Sequence, residues 1–252
     1  MLAYAPIDEG SESIIVAYGI VAIFSIFMTG IMLKKWLAKR SEAPKFLFLT
    51  FLSYAICITV TMIGFVEVLL TREKRELYQF SLAFSFAGLM ISNVFLLLFA
   101  NEIFSIGRKS RVPLLVANVV VAIFLTLPWN YYGILKEDYE GASIRPYTSG
   151  AMVLLSTITY LHIMVESLRV SRKVDELVGK AGFRLIAGSQ VCLIMFFLLM
   201  VADMIYFGIS EELTGYTVFN HAAWFAAASF FALAYLGFVM PPWLRGFIEK
   251  HD

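Results

Sequence analysis

Long apolar stretches alternate with short polar connections along the whole chain. A helix of about 20 apolar residues can cross the roughly 30 Å hydrocarbon core of a bilayer. Seven stretches reach that length, and they cover residues 13–33, 46–70, 78–104, 113–132, 148–170, 185–207 and 218–240. The pattern predicts an all-α fold, an integral membrane bundle of seven helices, and a single transmembrane domain that covers residues 1–252.

The composition leads to the same class of protein. Hydrophobic residues make up 60% of the chain and charged residues 15%, whereas a soluble domain carries roughly a quarter charged residues. The mean hydropathy is +0.79, which is typical of an integral membrane protein with the lipid bilayer as its surroundings. The net charge of +1 gives no indication of a nucleic-acid partner.

The Lys and Arg residues are distributed unevenly between the two sides of the predicted bundle. Fifteen of the 20 fall on the side that also carries the C-terminus: Lys34, Lys35, Lys39, Arg40, Lys45, Arg108, Lys109, Arg111, Arg169, Arg172, Lys173, Lys180, Arg184, Arg245 and Lys250. Cytoplasmic loops carry an excess of Lys and Arg. We therefore expect a multi-pass protein of the plasma membrane with the C-terminus in the cytoplasm and the N-terminus outside.

Three titratable side chains, Glu67, Asp203 and His221, fall at similar depths near the predicted outer ends of three helices. Charged groups inside membrane spans normally face the bundle interior or a wet cavity, and they are functional candidates. Polar and aromatic residues at similar heights or on the same helical faces complete a candidate ligand site: Asn220, Tyr206, Trp129, Trp224 and Asn130. The set predicts an aromatic-lined pocket with an acidic mouth for a small amphipathic or cationic ligand, whose identity stays unknown.

Two other interpretations of this outer layer stay open. Groups this close to the interface are also typical of ordinary boundary residues, and Tyr and Trp at this height form the usual aromatic belt. One His with two carboxylates is a possible metal-ligand set, but no predicted helix carries an HxxxH or ExxH pair.

A second polar layer is predicted near the cytoplasmic surface. It consists of Asn101, Glu102, Asn118, His162, Glu166 and Gln190. His162 and Glu166 are four residues apart and share a helical face. The functional hypothesis is a switch whose polar contacts change when helices move. The structural alternative is a set of snorkelling ion pairs, such as Glu166 with Arg169.

Several activities have no counterpart in the chain. The last predicted helix has no lysine to attach retinal, and the sequence has no Walker-type glycine loop, no GxSxG and no HExxH. Its three histidines are too few for a two-haem membrane cytochrome. We assign no catalytic residues and no cofactor.

Two connections carry further expectations. The basic and apolar stretch 169–184 predicts an extension of the fifth helix beyond the membrane, with anionic lipid as the favoured contact. Pro128 predicts a kink near the outer end of the fourth helix.

The segment LAYLGFVMPPWLRGF, residues 233–247, resembles the exit of seven-helix membrane sensor domains found in some prokaryotic signalling proteins. In those proteins a similar run leads from the last helix into a cytoplasmic kinase or cyclase region. The resemblance implies a receptor that either continues into a C-terminal signalling domain or acts through a separate cytoplasmic partner.

Three functions fit the sequence. The first is a receptor or sensor domain that binds a small ligand in the outward-facing pocket and signals through its cytoplasmic ends. The second is a small transporter or proton-coupled channel that uses the two polar layers as successive stations. The third is an intramembrane enzyme, for which metal dependence is an open alternative.

Overall fold

The computed structural model describes residues 11–104, 108–130, 144–209 and 216–250, with only the backbone at residues 11, 108–110 and 207–209. These ranges contain eight helices: α1 Ser11–Lys39, α2 Glu42–Thr71, α3 Glu76–Phe104, α4 Arg108–Leu125, α5 Arg145–Ser171, α6 Leu177–Ile209, α7 Val218–Val239 and α8 Pro242–Lys250. The prediction of an all-helical bundle is confirmed.

Six of these helices, α1, α2, α3, α5, α6 and α7, are long and apolar enough to cross a membrane. They indicate a multi-pass membrane protein. The fourth predicted span is shorter than expected. Helix α4 has 18 residues, or about 27 Å at 1.5 Å per residue, against a hydrocarbon core of about 30 Å.

The helices form a closed ring in chain order. Each of α1 to α6 packs against the next helix, α7 packs against α1, and α3 also leans across to α5. Large aromatic side chains fill the middle of the ring. Phe51 of α2 packs against Phe230 of α7 with ring centroids 6.2 Å apart, and Phe99 of α3 packs against Phe238 of α7 at 5.5 Å. Helix α7 therefore has core contacts across the bundle as well as with its two neighbours.

Glycine allows the backbones of α6 and α7 to approach each other closely. A Cβ atom added at Gly237 would lie 2.9 Å from Ile186 Cγ1, 3.1 Å from the Gly182 carbonyl oxygen and 3.1 Å from the Ile186 nitrogen. Two of these neighbours are backbone atoms, which cannot move aside as a flexible side chain can. Small residues permit such tight helix packing in membranes.

The fourth predicted helix ends before residue 132, and Pro128 does not kink it. Helix α4 ends at Leu125, and residues 126–130 form turns. Pro128 has no N–H to donate to the Phe124 carbonyl four residues earlier, which disfavours continuation of the helix through it. The Asn130 side-chain amide donates to that carbonyl in its place. The turn ends the helix, and Tyr131 and Tyr132 lie outside the described residues.

The predicted extension of the fifth helix is also wrong. Helix α5 ends at Ser171, and residues 177–184 belong to the first two turns of α6. Asp175 and Glu176 directly precede α6, where negative charge favours the start of a helix. The basic stretch therefore divides into a short connection and the beginning of the next helix.

The close contact between α6 and α7 predicts that a larger side chain at Gly237 destabilises the protein. Gly237→Ala should lower the free energy of unfolding by roughly 1–3 kcal/mol, because the new methyl group must push two backbones apart. The measurement is reversible unfolding of the detergent-purified protein in SDS. Gly150→Ala is the matched control, since a Cβ at Gly150 of α5 meets nothing within 4 Å. It should be neutral or stabilise the helix by about 0.5–1 kcal/mol. Equal effects at both glycines would contradict the tight contact.

Candidate functional site

The two ends of the bundle have different polar residues. We call the end that carries Glu67, Asp203 and His221 the acidic end, and the end that carries Arg40, Arg172 and α8 the basic end. The predicted ligand site lies at the acidic end.

Asp203 joins α6 to the start of α7. Its Oδ1 accepts a hydrogen bond from the Thr217 hydroxyl, and its Oδ2 accepts one from Asn220 Nδ2 at 3.2 Å. Thr217 is the N-cap residue of α7, and its Oγ1 also accepts from the Phe219 backbone nitrogen at 3.1 Å. Both donors to the Asp203 carboxylate are neutral. Neither of these two contacts therefore supplies a positive charge to the half-buried carboxyl group of Asp203.

His221 connects the same helix start to α1. Its Nδ1 lies 2.9 Å from the Thr217 carbonyl oxygen, which can only accept, so Nδ1 carries a proton. Its Nε2 lies 2.8 Å from Ser13 Oγ. A hydroxyl can donate to neutral imidazole or accept from imidazolium, so both contacts are compatible with either charge state. Thr217 thus contacts both Asp203 and His221 through its two oxygens.

Glu67 is engaged elsewhere at the acidic end. Its Oε2 accepts a hydrogen bond of 2.8 Å from the Tyr78 backbone nitrogen in the first turn of α3. A carboxylate there satisfies a free helical N–H and interacts favourably with the helix dipole. The structure brings Asp203, Asn220 and His221 together around Thr217, whereas Glu67 joins α2 to α3.

Aromatic rings pack beneath the Asp203–Thr217–His221 group. The Trp224 ring lies edge-on to Tyr18 of α1 at 4.3 Å and to Phe196 of α6 at 5.4 Å between centroids. Tyr18 in turn contacts Phe65 of α2 at 4.9 Å. These packed rings come from α1, α2, α6 and α7.

Two buried polar atoms lie one helical turn apart on α7, and the second of them belongs to the Trp224 ring. Asn220 Oδ1, an acceptor, and Trp224 Nε1, a donor, have no hydrogen-bond partner in the described ranges. A buried polar group without a partner costs about 1–3 kcal/mol, and most such groups are paired in folded proteins. We call Asp203, Asn220, His221, Trp224 and Thr217 the outer site, after the side of the membrane on which the sequence pattern predicts them.

Of the other predicted members, Tyr206 lies on α6, whereas Trp129 and Asn130 lie in the turn after α4. Tyr206 is 46% exposed and packs against Phe219, with 5.8 Å between ring centroids. Trp129 is 51% exposed. Asn130 is buried and accepts from the Thr148 hydroxyl of α5, in addition to closing the end of α4. Asn130 therefore fixes a helix end, as Glu67 does.

Most residues of the second predicted layer lie toward the basic end, where they form separate contacts. Arg169 donates to Glu166 at 2.5 Å, which is the ion pair of the structural alternative. Asn101 Nδ2 lies 3.4 Å from Glu102 Oε1. His162 lines a cavity between helices. Gln190 is buried, with Nε2 3.2 Å from Ser189 Oγ and with Oε1 unpaired in the described part of the chain.

Asn118 belongs to a different group, a hydrogen-bond network in the middle of the bundle. Asn93 Nδ2 donates to Asn118 Oδ1 at 3.3 Å and to Ser156 Oγ at 2.9 Å, and Asn93 Oδ1 accepts from the Tyr160 hydroxyl at 2.8 Å. The Tyr160 hydroxyl lies 3.4 Å from that of Tyr54. The network therefore joins α2, α3, α4 and α5, and all of its members are buried.

The sequence interpretation named Asn118 but missed Asn93, Ser156, Tyr160 and Tyr54. A signal was present for the amides, because Asn93 and Asn118 are single strongly polar residues within the apolar runs LMISNVFLLL and LLVANVVVAI. A polar group at such a depth needs a partner inside the protein.

No protein-family model matches the chain, and no curated protein or solved structure matches it either. Within residues 11–104, 108–130, 144–209 and 216–250, no three His, Cys, Asp or Glu side chains are grouped so that they could hold a metal ion. Function is inferred from the geometry of the outer site.

The mid-bundle network predicts coupled energies for its members. Tyr160→Phe should cost about 0.6–1.7 kcal/mol, the range of interhelical hydrogen bonds in membranes, and Asn93→Leu should cost more because it removes several bonds. In a double-mutant cycle the two changes should show a coupling energy of about 0.6 kcal/mol or more, measured by SDS unfolding. Ser25→Ala is the control, since among the described residues the buried Ser25 hydroxyl bonds to the Ala22 carbonyl of its own helix alone. Additive energies for Asn93 and Tyr160 would contradict the network.

Proposed function

We propose that the chain is a seven-helix membrane receptor or sensor domain that binds a small ligand at the outer site. The observation that supports this most is the pair of buried atoms without described partners on successive turns of α7, Asn220 Oδ1 and Trp224 Nε1. Asn220 also bonds to the Asp203 carboxylate, and Trp224 packs against aromatic rings. Apolar and aromatic side chains with a few polar groups are the composition of many ligand pockets. The resemblance of residues 233–247 to the exit of sensor domains is consistent with this role.

The proposal takes α4 as the seventh crossing. Helix α4 packs between α3 and α5, and the turn after it meets the start of α5, where the Ile144 nitrogen donates to the Trp129 carbonyl at 3.3 Å. Lys and Arg predominate at the basic end, so we place that end in the cytoplasm and the acidic end outside.

The ligand in this proposal is a small amine attached to an apolar or aromatic group. An ammonium group would pair with Asp203, whose two hydrogen-bond donors are neutral. The aromatic part would lie against Trp224, Tyr18 and Phe196, where a cation is also attracted by the ring faces.

The ligand-induced signal would travel along α6 and α7. The outer site holds the outer ends of α6, α7 and α1 together. At the other end of α7, Lys35 of α1 donates to the Phe238 carbonyl at 2.7 Å, and Gly237 packs on the backbone of α6. A ligand that changes the spacing at Asp203 would therefore change how α6 and α7 meet near α8. Rigid helices with contacts at both ends transmit such tilts.

The mid-bundle network favours one other function, a small transporter or proton-coupled channel, because polar side chains at mid-depth can line a pathway. Its described members are neutral amides and hydroxyls that bond to one another across four helices. Such mutual bonding holds helices in position, as expected of a receptor. A measurement of substrate or proton flux distinguishes the receptor from the transporter.

The orientation is testable by cysteine labelling in intact cells, after Cys57 and Cys192 are replaced by alanine. Single cysteines at Ser11 and Glu212 should react with a membrane-impermeant maleimide, because the proposal places them outside. Cysteines at Ser41 and Gly179 should react only after the cells are permeabilised. The reverse pattern would contradict the orientation and the location of the outer site.

The ligand proposal is testable with phenethylamine and its uncharged analogue 2-phenylethanol. Phenethylamine should raise the melting temperature of the purified protein in a saturable manner, and 2-phenylethanol should bind at least about tenfold more weakly, since a charged hydrogen bond contributes about 1.5–3 kcal/mol. Asp203→Asn should remove this preference for the amine. Glu166→Gln, which changes a carboxylate at the basic end, is the matched control and should retain it.

In sealed proteoliposomes the receptor proposal expects no uptake of the amine and no proton movement. Uptake that Asp203→Asn abolishes would instead establish the transporter. The absence of any shift with phenethylamine, or an equal shift in Asp203→Asn, would contradict the proposed site.

A further inference from the structure

A cavity of about 370 Å³ lies between α3, α4 and α5, toward the basic end of the bundle. Its walls are formed mainly by apolar side chains, among them Leu97, Leu114 and Leu155. Two polar side chains, Arg111 and His162, complete the lining. Its volume falls within the usual range for ligand pockets, about 300–1,000 Å³.

Arg111 provides an unsatisfied donor at this cavity. Its Nε is buried and has no hydrogen-bond partner within the described ranges. The guanidinium group stays charged and offers its N–H donors in a planar fork that matches the oxygens of a phosphate. His162 can donate a hydrogen bond to the same anion in either of its charge states.

The position of the cavity favours an occupant that comes from the bilayer. Arg111 lies in the first turn of α4, close to the basic surface, whereas Leu155 lies 16 residues before the end of α5, about 24 Å along that helix. Apolar side chains of the same helices, such as Val116 and Ile158, are 56% and 42% exposed. The cavity therefore extends from a cationic group near the surface to an apolar region bordered by outward-facing side chains.

We propose that this cavity binds an anionic phospholipid. The phosphate bonds to Arg111 Nε and to His162, and one acyl chain lies along Leu97, Leu114 and Leu155. This lipid site is distinct from the outer site, which lies at the opposite end of the bundle. The head group supplies the acceptor that the buried Arg111 nitrogen lacks, and the chain fills apolar space between α4 and α5.

The test uses soluble short-chain lipids with the full chain purified in a nonionic detergent. Apparent dissociation constants come from the concentration dependence of the melting temperature. Dihexanoyl phosphatidylglycerol should bind about tenfold more tightly than zwitterionic dihexanoyl phosphatidylcholine, because both lipids carry the phosphate but the choline group of the second brings a positive charge beside the Arg111 guanidinium. Arg111→Gln should abolish that preference. Arg172→Gln, which removes an exposed arginine at the same end of the bundle, should retain it.

A second variant and a second probe separate the lipid from a soluble anion and from a folding defect. Ala117→Phe fills the apolar part of the cavity, keeps Arg111, and should weaken binding of both lipids by about tenfold. Glycerol 3-phosphate, which is a head group without a chain, should bind far more weakly than dihexanoyl phosphatidylglycerol. Equal binding of glycerol 3-phosphate, no preference for phosphatidylglycerol in the wild type, or an unchanged preference in Arg111→Gln would each overturn the proposal. If Arg111→Gln fails to fold, Ala117→Phe and glycerol 3-phosphate still decide.

Discussion

The need of every polar group to find a partner inside the protein governs this structure, because hydrocarbon offers none. Helix ends and buried side chains both obey it. Asn130 donates to the Phe124 carbonyl, for which Pro128 has no N–H. Glu67 accepts from a backbone N–H in the first turn of α3, and Lys35 donates to a carbonyl at the end of α7. The first contact closes the end of α4, the second joins the consecutive helices α2 and α3, and the third joins α1 to α7. Polar pairing therefore sets where helices end and which helices are neighbours.

The proposed functions depend on buried polar atoms that have no such partner. Asn220 Oδ1 and Trp224 Nε1 at the acidic end, and Arg111 Nε at the basic end, are buried without partners in the described part of the chain. Asn220 bonds to Asp203, Trp224 packs against Tyr18 and Phe196, and the Arg111 side chain lines an apolar cavity. The mid-bundle network between the two ends is largely satisfied by comparison, since Asn93 uses both its amide nitrogen and its oxygen. Thr159 Oγ1 and Gln190 Oε1, in the middle parts of α5 and α6, are also buried without described partners, so the pairing is complete at Asn93 but not throughout the centre.

The fold class and the approximate helices were predictable from the length of the apolar runs, whereas the grouping of polar residues was not. Sequence position gives the depth of a residue along its helix, and it correctly indicated that Asp203, Asn220 and His221 lie at similar heights. It does not give the rotation of the helix. Lipid-facing and core-facing sides are both apolar here, so the periodicity that orients a helix in a soluble protein is weak. Glu67 consequently faces α3 rather than Asp203, and Asn118 bonds to Asn93. The end of α4 at Leu125 was not predicted, because the apolar pattern continues beyond it. The missing N–H of Pro128 had the larger effect.

The pairing of Asn130 with Thr148 has a consequence for the architecture of the chain. Together with the bond from the Ile144 nitrogen to the Trp129 carbonyl, it holds the end of α4 beside the start of α5. These two bonds tie α4, which has 18 residues, to the first turn of the 27-residue α5. A tilt of α4 would therefore have to carry the start of α5 with it, so the two helices should move as one unit.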